Sequence, residues 1–231
     1  MKTKHIFLVT LLTGWTVISA CGAASETDSE VKSICGRTED FVPINAYSGR
    51  TEWVQTREES VGRLNRNCSG TYIGDIGSRR HLFLTAGHCG RTGQAASVEF
   101  NYEENADGPV VTVNGRFIES RSNPDYALIE LEQDPGVSPT PLATEVSSNL
   151  TIIQHPAARL KVVAFGLRSG SATGSRIAYS GLDTLGGSSG SGILNERGEL
   201  VGVHTLGGCS SSGGSNSGWS LRGIIQASPL L

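Results

Sequence analysis

Three well-separated stretches carry residue types that could do acyl-transfer chemistry together. "LFLTAGHCG" places His88 on a turn of small residues just after an apolar strand, and "NPDYALIEL" places Asp125 at the start of another. "DTLGGSSGSGILN", residues 183 to 195, supplies Ser188, Ser189 and Ser191 in a glycine-lined turn. That tract resembles a linker only in composition. Apolar Ile193-Leu194 follows it at once, and "GELVGVH" (198 to 204) reads as the second arm of a hairpin. His, Asp and Ser in this order, each at a strand edge, is one of the known orders for a base, an orienting acid and a nucleophile. Gly186 to Gly190 also matches the G-x-S-x-G elbow formally, with Ser188 as nucleophile. That arrangement needs an acid and then a histidine after the serine. Only Glu196, Glu199 and His204 follow, within one apparent hairpin and with no Asp, so the match is accidental.

The elements that must position these residues read as strands. "GTYIG", "HLFLTAG", "ASVEFNY", "PVVTVNGRFIES", "YALIEL", "LTIIQHP", "KVVAFG", "SGILN" and "ELVGVH" are short β-rich runs, punctuated by Gly, Asn, Asp and Pro. Helix signals are scarce, and no run repeats at a fixed period. Residues 132 to 143, with Pro135, Pro139 and Pro141, read as a connector between two β-modules, because proline cannot donate to a central ladder. "GGCSSSGGSNSG", 207 to 218, reads as a surface loop. The 231 residues carry a net charge of −3 and an isoelectric point near 6.0, with only Arg79-Arg80 adjacent among the dispersed basic residues. That distribution offers no electrostatic footprint for nucleic acid, so no nucleic-acid partner is expected.

Residues 1 to 20 read as a secretory signal peptide: a cationic "MKTKH", an apolar run, and small residues before Cys21. "ISA-C" resembles a lipobox, with Cys21 lipidated and a polar tether after it; a plain cleaved signal is the alternative. An exported chain permits disulfides. Setting Cys21 aside leaves Cys35, Cys68, Cys89 and Cys209, which allow three connectivities. A Cys68–Cys89 bridge would tie the histidine's turn to the neighbouring strand. With no C-x-x-C pair, neither a structural zinc site nor any other metal site is expected.

"LTAGHC", "PDYALIEL" and "DTLGGSSGSG" together resemble the three signature segments of trypsin-fold serine peptidases, over roughly residues 60 to 226. "TLGGSSGS" and "LVGVH" are most similar to the bacterial branch that includes the glutamyl endopeptidases. The resemblance implies an all-β fold of two antiparallel six-stranded barrels with the active site in the cleft between them. Residues 21–59 would then form a tether or arm, 60–131 the first barrel, 132–143 the crossing and 144–231 the second barrel. It implies His88 as base, Asp125 as orienting acid and Ser189 as nucleophile, with the backbone N–H groups of Gly187 and Ser189 as oxyanion hole. Ser191 would support the turn. Two departures stand out. Ser188 replaces the aspartate on which the animal enzymes' zymogen switch depends, and Gly192 replaces the proline usual in the bacterial branch.

For specificity, His204 and Thr184 match pocket residues of the glutamyl endopeptidases and could bind an acidic side chain. Asp183 stands where trypsins carry the aspartate that selects Lys and Arg. The expected substrate is a protein or peptide, cut after Glu or alternatively after Lys/Arg, by a monomer needing no cofactor. The protein is expected in the bacterial cell envelope, lipid-anchored, or secreted. Residues 22–60 could also act as a propeptide. Cys35–Cys209 follows by elimination and would staple the N-terminal arm to the loop behind the pocket. His155 and His81 read as structural, and Glu58-Glu59 and Glu103-Glu104 as solvated loops. Two alternatives are a catalytically inactive surface binding module and a periplasmic quality-control protease; the latter usually appends a peptide-binding domain, for which the chain leaves no room.

Overall fold

The structure is a computed structural model that describes residues 33–49, 51–171 and 174–231. Residues 1–32, with the expected signal peptide and Cys21, lie outside the described residues. The chain folds as two antiparallel barrels. An arm carries the two-residue strand β1 (Val42–Pro43) and the short helix α1 (Val54–Arg57). The first barrel follows as β2 (Val61–Leu64), β3 (Cys68–Ile76), β4 (Arg79–Thr85), β5 (Ala95–Phe100), β6 (Val111–Ser122) and β7 (Asp125–Leu131), closed in the order β2-β3-β4-β7-β6-β5. The second is built from β8 (Asn149–Gln154), β9 (Val162–Ser169), β10 (Arg176–Ser180), β11 (Gly192–Leu194) and β12 (Leu200–Leu206). A small hairpin of β13 (Cys209–Ser210) and β14 (Gly213–Gly214) leads to β15 (Asn216–Ser220). Its ring runs β9-β10-β15-β12-β11-β8 and closes through β8–β9, with β1 added to β9. Closure leaves no sheet edge in either barrel.

The register follows the residue pattern. β6 alternates exposed and buried positions, as a half-buried strand must. β7, between β4 and β6, is apolar almost throughout, and Phe83 lies opposite Ile129 in the β4–β7 ladder. Phe83 meets Phe100 edge to face at 5.9 Å, and both are essentially fully buried. Each such ring contributes about 1.5–3 kcal/mol of burial. Gly77, at φ +58, turns the two-residue β3–β4 hairpin. The β6–β7 hairpin turns at Asn123–Pro124, a cis peptide, so that Asp125 opens β7 opposite Ser122.

The crossing segment is bonded to both barrels. Thr140 donates its N–H to Tyr72 O (3.0 Å), and Pro141 O accepts from Leu200 N (2.8 Å). Proline here uses its carbonyl alone, which is all it has to give. Beyond the second barrel's last strand comes a helix that the sequence pattern did not announce, α2 (Leu221–Ala227), capped by Ser220 Oγ on Gly223 N at 3.2 Å. It buries Leu221 and Ile224, and Ser228 just after it donates to Glu119 Oε2 of β6 at 2.6 Å. Among the described residues no helix is long and apolar enough to cross a membrane.

Glu58, expected in a solvated loop, is buried instead, and the side chain of Glu103, expected in another, is only 2% exposed. Both reach the fully buried Lys161 Nζ, at 2.6 and 2.7 Å. The cluster fastens the arm-side turn, the β5–β6 loop and the entry to β9 at one point. Burial pushes the Glu58 carboxyl up to about 7, against the opposing pull of Lys161.

Candidate active site

His88 sits in a single 3₁₀ turn, Gly87–Cys89, at the end of β4. The Cys68–Cys89 disulfide (Cα–Cα 6.2 Å) ties that turn to the start of β3. Gly87 is required by proximity: a Cβ there would run into the Arg121 carbonyl and come within 2.9 Å of Asp125 Oδ1. Ser120 Oγ braces the turn by donating to Gly87 O (3.0 Å) and Gly90 O (2.8 Å). Held this close, Asp125 takes two bonds from one residue. Its Oδ1 accepts the His88 backbone N–H at 3.0 Å, and its Oδ2 lies 2.8 Å from His88 Nδ1. An ionised carboxylate only accepts, so Nδ1 carries the proton and Nε2 is left as the basic nitrogen. The imidazole is 46% exposed and Asp125 19%. Arg91, Gln94, Ser120 and Arg121 line an open cleft beside the pair.

Ser189 lies in the loop before β11. Its carbonyl accepts from Ser69 N at 2.8 Å and sits 3.8 Å from Cys89 Sγ, so the serine's backbone rests against the histidine's own disulfide. Gly190, at φ +89, makes that approach possible; a Cβ would strike Ser69 O and Thr85 Oγ1. The neighbouring serines are both buried, and of their two hydroxyls only that of Ser188 has a hydrogen-bond partner among the described residues. Ser188 is buried, its Oγ accepting Leu185 N at 3.0 Å. Ser191 is buried too, with its N–H on Ser188 O (3.1 Å) and its carbonyl accepting His204 N (2.9 Å).

The N–H groups of Gly187 and Ser189 are aimed by the carbonyls that share their peptides. Gly186 O accepts Ala157 N at 2.5 Å, and Ser188 O accepts Ser191 N. In a trans peptide C=O and N–H point opposite ways, so anchoring each carbonyl turns the following N–H outward. Neither N–H has an acceptor among the described residues, whereas Ser188 N and Gly190 N are bonded to Leu185 O and His204 O. Ser69 Oγ completes the mount: it donates to Gly187 O (2.8 Å) and accepts His155 N (3.0 Å). Ala157 and Ala158 hold φ of +52 and +55, unusual for non-glycine residues, behind Gly187, itself at φ +90. Ser69, His155 and Ala157 left no sign of this in the sequence beyond the proximity of Ser69 to Cys68.

The pocket residues divide. His204 and Thr184 are buried on the segments flanking Ser189. Tyr179 Oη lies 2.5 Å from His204 Nδ1, and the ring also bonds to the Ser217 backbone. Burial, with His88 nearby, drives the His204 pKa down to about 3, so the ring is neutral at pH 7. Asp183 differs from its expected substrate-binding role. It is fully buried, and its oxygens accept Cys35 N (2.7 Å) and Asp40 N (2.8 Å) of the arm. Both its oxygens are taken up by the chain itself. The second disulfide joins Cys35 to Cys209. Among the described residues the one metal-type grouping is Cys68, Cys89 and His88, within 4.8 Å, and a disulfide has no thiolate to offer an ion.

Residues 68–203, which hold His88, Asp125 and Ser189 between them, match the family model described as the trypsin-like peptidase domain. The chain belongs to that family. Among solved structures it is similar to a serine endoprotease from Yersinia pestis, with TM-score 0.61 and 18% identity over 78% of this chain and 65% of that one. It is also similar to the MamO protease domain from Magnetospirillum magneticum (TM-score 0.58, 16% identity, 75% and 97% covered). Deg5 gives TM-score 0.57 at 19% identity, with 76% and 90% covered. At identities this low the likeness shows the fold alone. No curated protein matches the sequence.

Proposed function

We propose that this trypsin-like chain is a serine endopeptidase working through His88, Asp125 and Ser189. The observation that carries the reading is the doubly bonded His88–Asp125 pair, held by a shared disulfide contact against the backbone of Ser189. In this mechanism Ser189 Oγ attacks the peptide carbonyl and passes its proton to His88 Nε2, while Asp125 holds Nδ1–H and stabilises the imidazolium. The oxyanion is received by the outward N–H groups of Gly187 and Ser189, each worth about 3 kcal/mol in the transition state. His88 then protonates the leaving amine, and water repeats the sequence on the acyl-enzyme.

Cleavage after Glu is the finer reading. Asp183 is withdrawn from any basic side chain, and of the two residues matched to an acid-binding pocket His204 is buried and already bonded to Tyr179 and the Ser217 backbone, so Thr184 is the polar group that remains. The glutamyl-endopeptidase likeness of "TLGGSSGS" and "LVGVH" supports the same preference. Two disulfides suit an oxidising compartment, and the lipobox-like Cys21 supports a lipid anchor there.

Fluorophosphonate labelling followed by peptide mapping tests the core of the proposal. A single adduct on Ser189, absent from Ser189→Ala, is expected. A folded protein that takes up no label would instead be a binding module on a peptidase fold.

A further inference from the structure

Asp183 stands six residues before Ser189, where a free carboxylate would draw in a basic side chain. Instead it is the meeting point of an N-terminal arm. Its two oxygens take the N–H groups of Cys35 and Asp40 at 2.7 and 2.8 Å, and it is wholly buried. A buried carboxylate survives only where donors replace water, and here the arm supplies them. The same arm is fixed at three further points to the same region. Ser33 and Thr184 exchange backbone bonds (3.1 and 3.2 Å), an isolated antiparallel bridge beside Asp183. Cys35 is covalently joined to Cys209. Asn216 ties the layers together: its Nδ2 donates to Ser33 O (3.1 Å) and Leu182 O (2.8 Å), and its Oδ1 accepts Gly208 N (2.8 Å) and Cys209 N (3.0 Å). Gly207 has no room for a Cβ because the Ser33 side chain is there. Residues 182–184 and 207–209 are thus braced from one side by one segment.

We propose that residues 33–40 are a fixed wall of the primary specificity pocket and that Asp183 is the clasp that holds them, so that the pocket refuses Lys and Arg. The inference rests on the peptidase reading above. It assigns the arm a role in choosing the substrate: with the arm seated, both oxygens of the one acid at the pocket position are occupied by hydrogen bonds, and Thr184 is held from behind.

The experiment compares the wild-type chain with Asp183→Ala and with the Cys35→Ser/Cys209→Ser pair. The pair frees the arm without touching Asp183 and guards against a folding failure of the first variant. Amide exchange at Cys35 and Asp40 is expected to be slow in the wild type and about a hundredfold faster in both variants. Benzamidine, an aryl amidinium, is expected not to inhibit the wild type at millimolar concentration. In both variants kcat/KM for the best peptides should fall about tenfold, chiefly through KM, while fluorophosphonate labelling of Ser189 stays within about threefold. Inhibition of the wild type by benzamidine that disappears in Asp183→Ala would make Asp183 a selector and overturn the proposal. So would arm amides that ignore both variants. If the wild type takes no label, the peptidase reading and the pocket role fall together, and the exchange rates alone decide whether Asp183 is a clasp.

Discussion

Ser69 touches no reacting group in the proposed mechanism, yet it holds the carbonyls of Gly187 and Ser189 through its hydroxyl and its N–H. Replacing it by Ala removes the Gly187 contact and leaves the buried His155 N–H without its acceptor. Stability should drop by about 1–3 kcal/mol, the cost of an unsatisfied buried donor. If loss of the His155 contact loosens the turn whose Ala157 N–H anchors Gly186 O, the Gly187 N–H loses its aim and kcat should fall by about 10²-fold with KM nearly unchanged, since that N–H acts on the transition state. Steady-state kinetics on Ser69→Ala beside urea unfolding separates the two effects. Asp125→Asn should be harsher, at about 10⁴-fold in kcat with the fold intact, because an amide cannot enforce the same tautomer. At this scale His88, Asp125 and Ser189 were readable because each sits in its own short local pattern. The clasp role of Asp183 was not, since its partners are backbone N–H groups 148 and 143 positions away, and backbone donors leave no mark in a sequence.

Elements were legible wherever apolar runs were bounded by turn residues, which covers the strands that carry His88 and Asp125. Two short pieces were not. α2 is two turns with a serine cap and Leu221 and Ile224 three apart, too brief a pattern to stand out from β-rich surroundings. The His155–Ala158 turn depends on alanines at positive φ, which tertiary contacts impose against local preference. The loop before β11 offers a direct test of such contacts, because adjacent glycines have opposite surroundings. A Cβ on Gly186 meets nothing within 4 Å, whereas one on Gly187, at φ +90, would lie 2.8 Å from His155 O and from Ala158 N. Gly186→Ala should therefore keep its unfolding midpoint and its fluorophosphonate reactivity. Gly187→Ala should lose about 10²-fold or more in labelling rate, because backbone on one side and the oxyanion position on the other leave it nowhere to relax. Equal behaviour of the two variants would show that the loop is more plastic than its packing implies.

At the scale of the whole molecule, buried titratable groups set the response to acid. His155 and His204 are both held neutral, with pKa values lowered from 6.5 to about 3 mainly by burial. His155 Nδ1 is spent on Arg159 O at 3.0 Å, and the positive charges of Lys161 and Arg63 add to the cost of protonating it. Once unfolded, each ring binds a proton near pH 6.5. The unfolded chain therefore holds more protons than the native one between about pH 6.5 and pH 3. Stability from these two groups is complete above 6.5 and drains as pH falls, by up to about 1.4 kcal/mol per pH unit for each histidine. Glu58 works in the opposite sense. Its carboxyl is raised from 4.5 to about 7, so its contribution is present below 4.5 and lost as pH rises through 7. One proton opposes two across pH 4.5 to 6.5, and the net direction is loss of stability on acidification. Urea unfolding at steps from pH 7.5 to pH 4.5 should show a falling midpoint. His155→Asn, whose amide can reach the same carbonyl without titrating, should flatten the slope by about one proton's worth. A midpoint that rises toward pH 4.5 in both proteins would mean that Glu58, and the Lys161 cluster around it, governs the acid response instead of the two histidines.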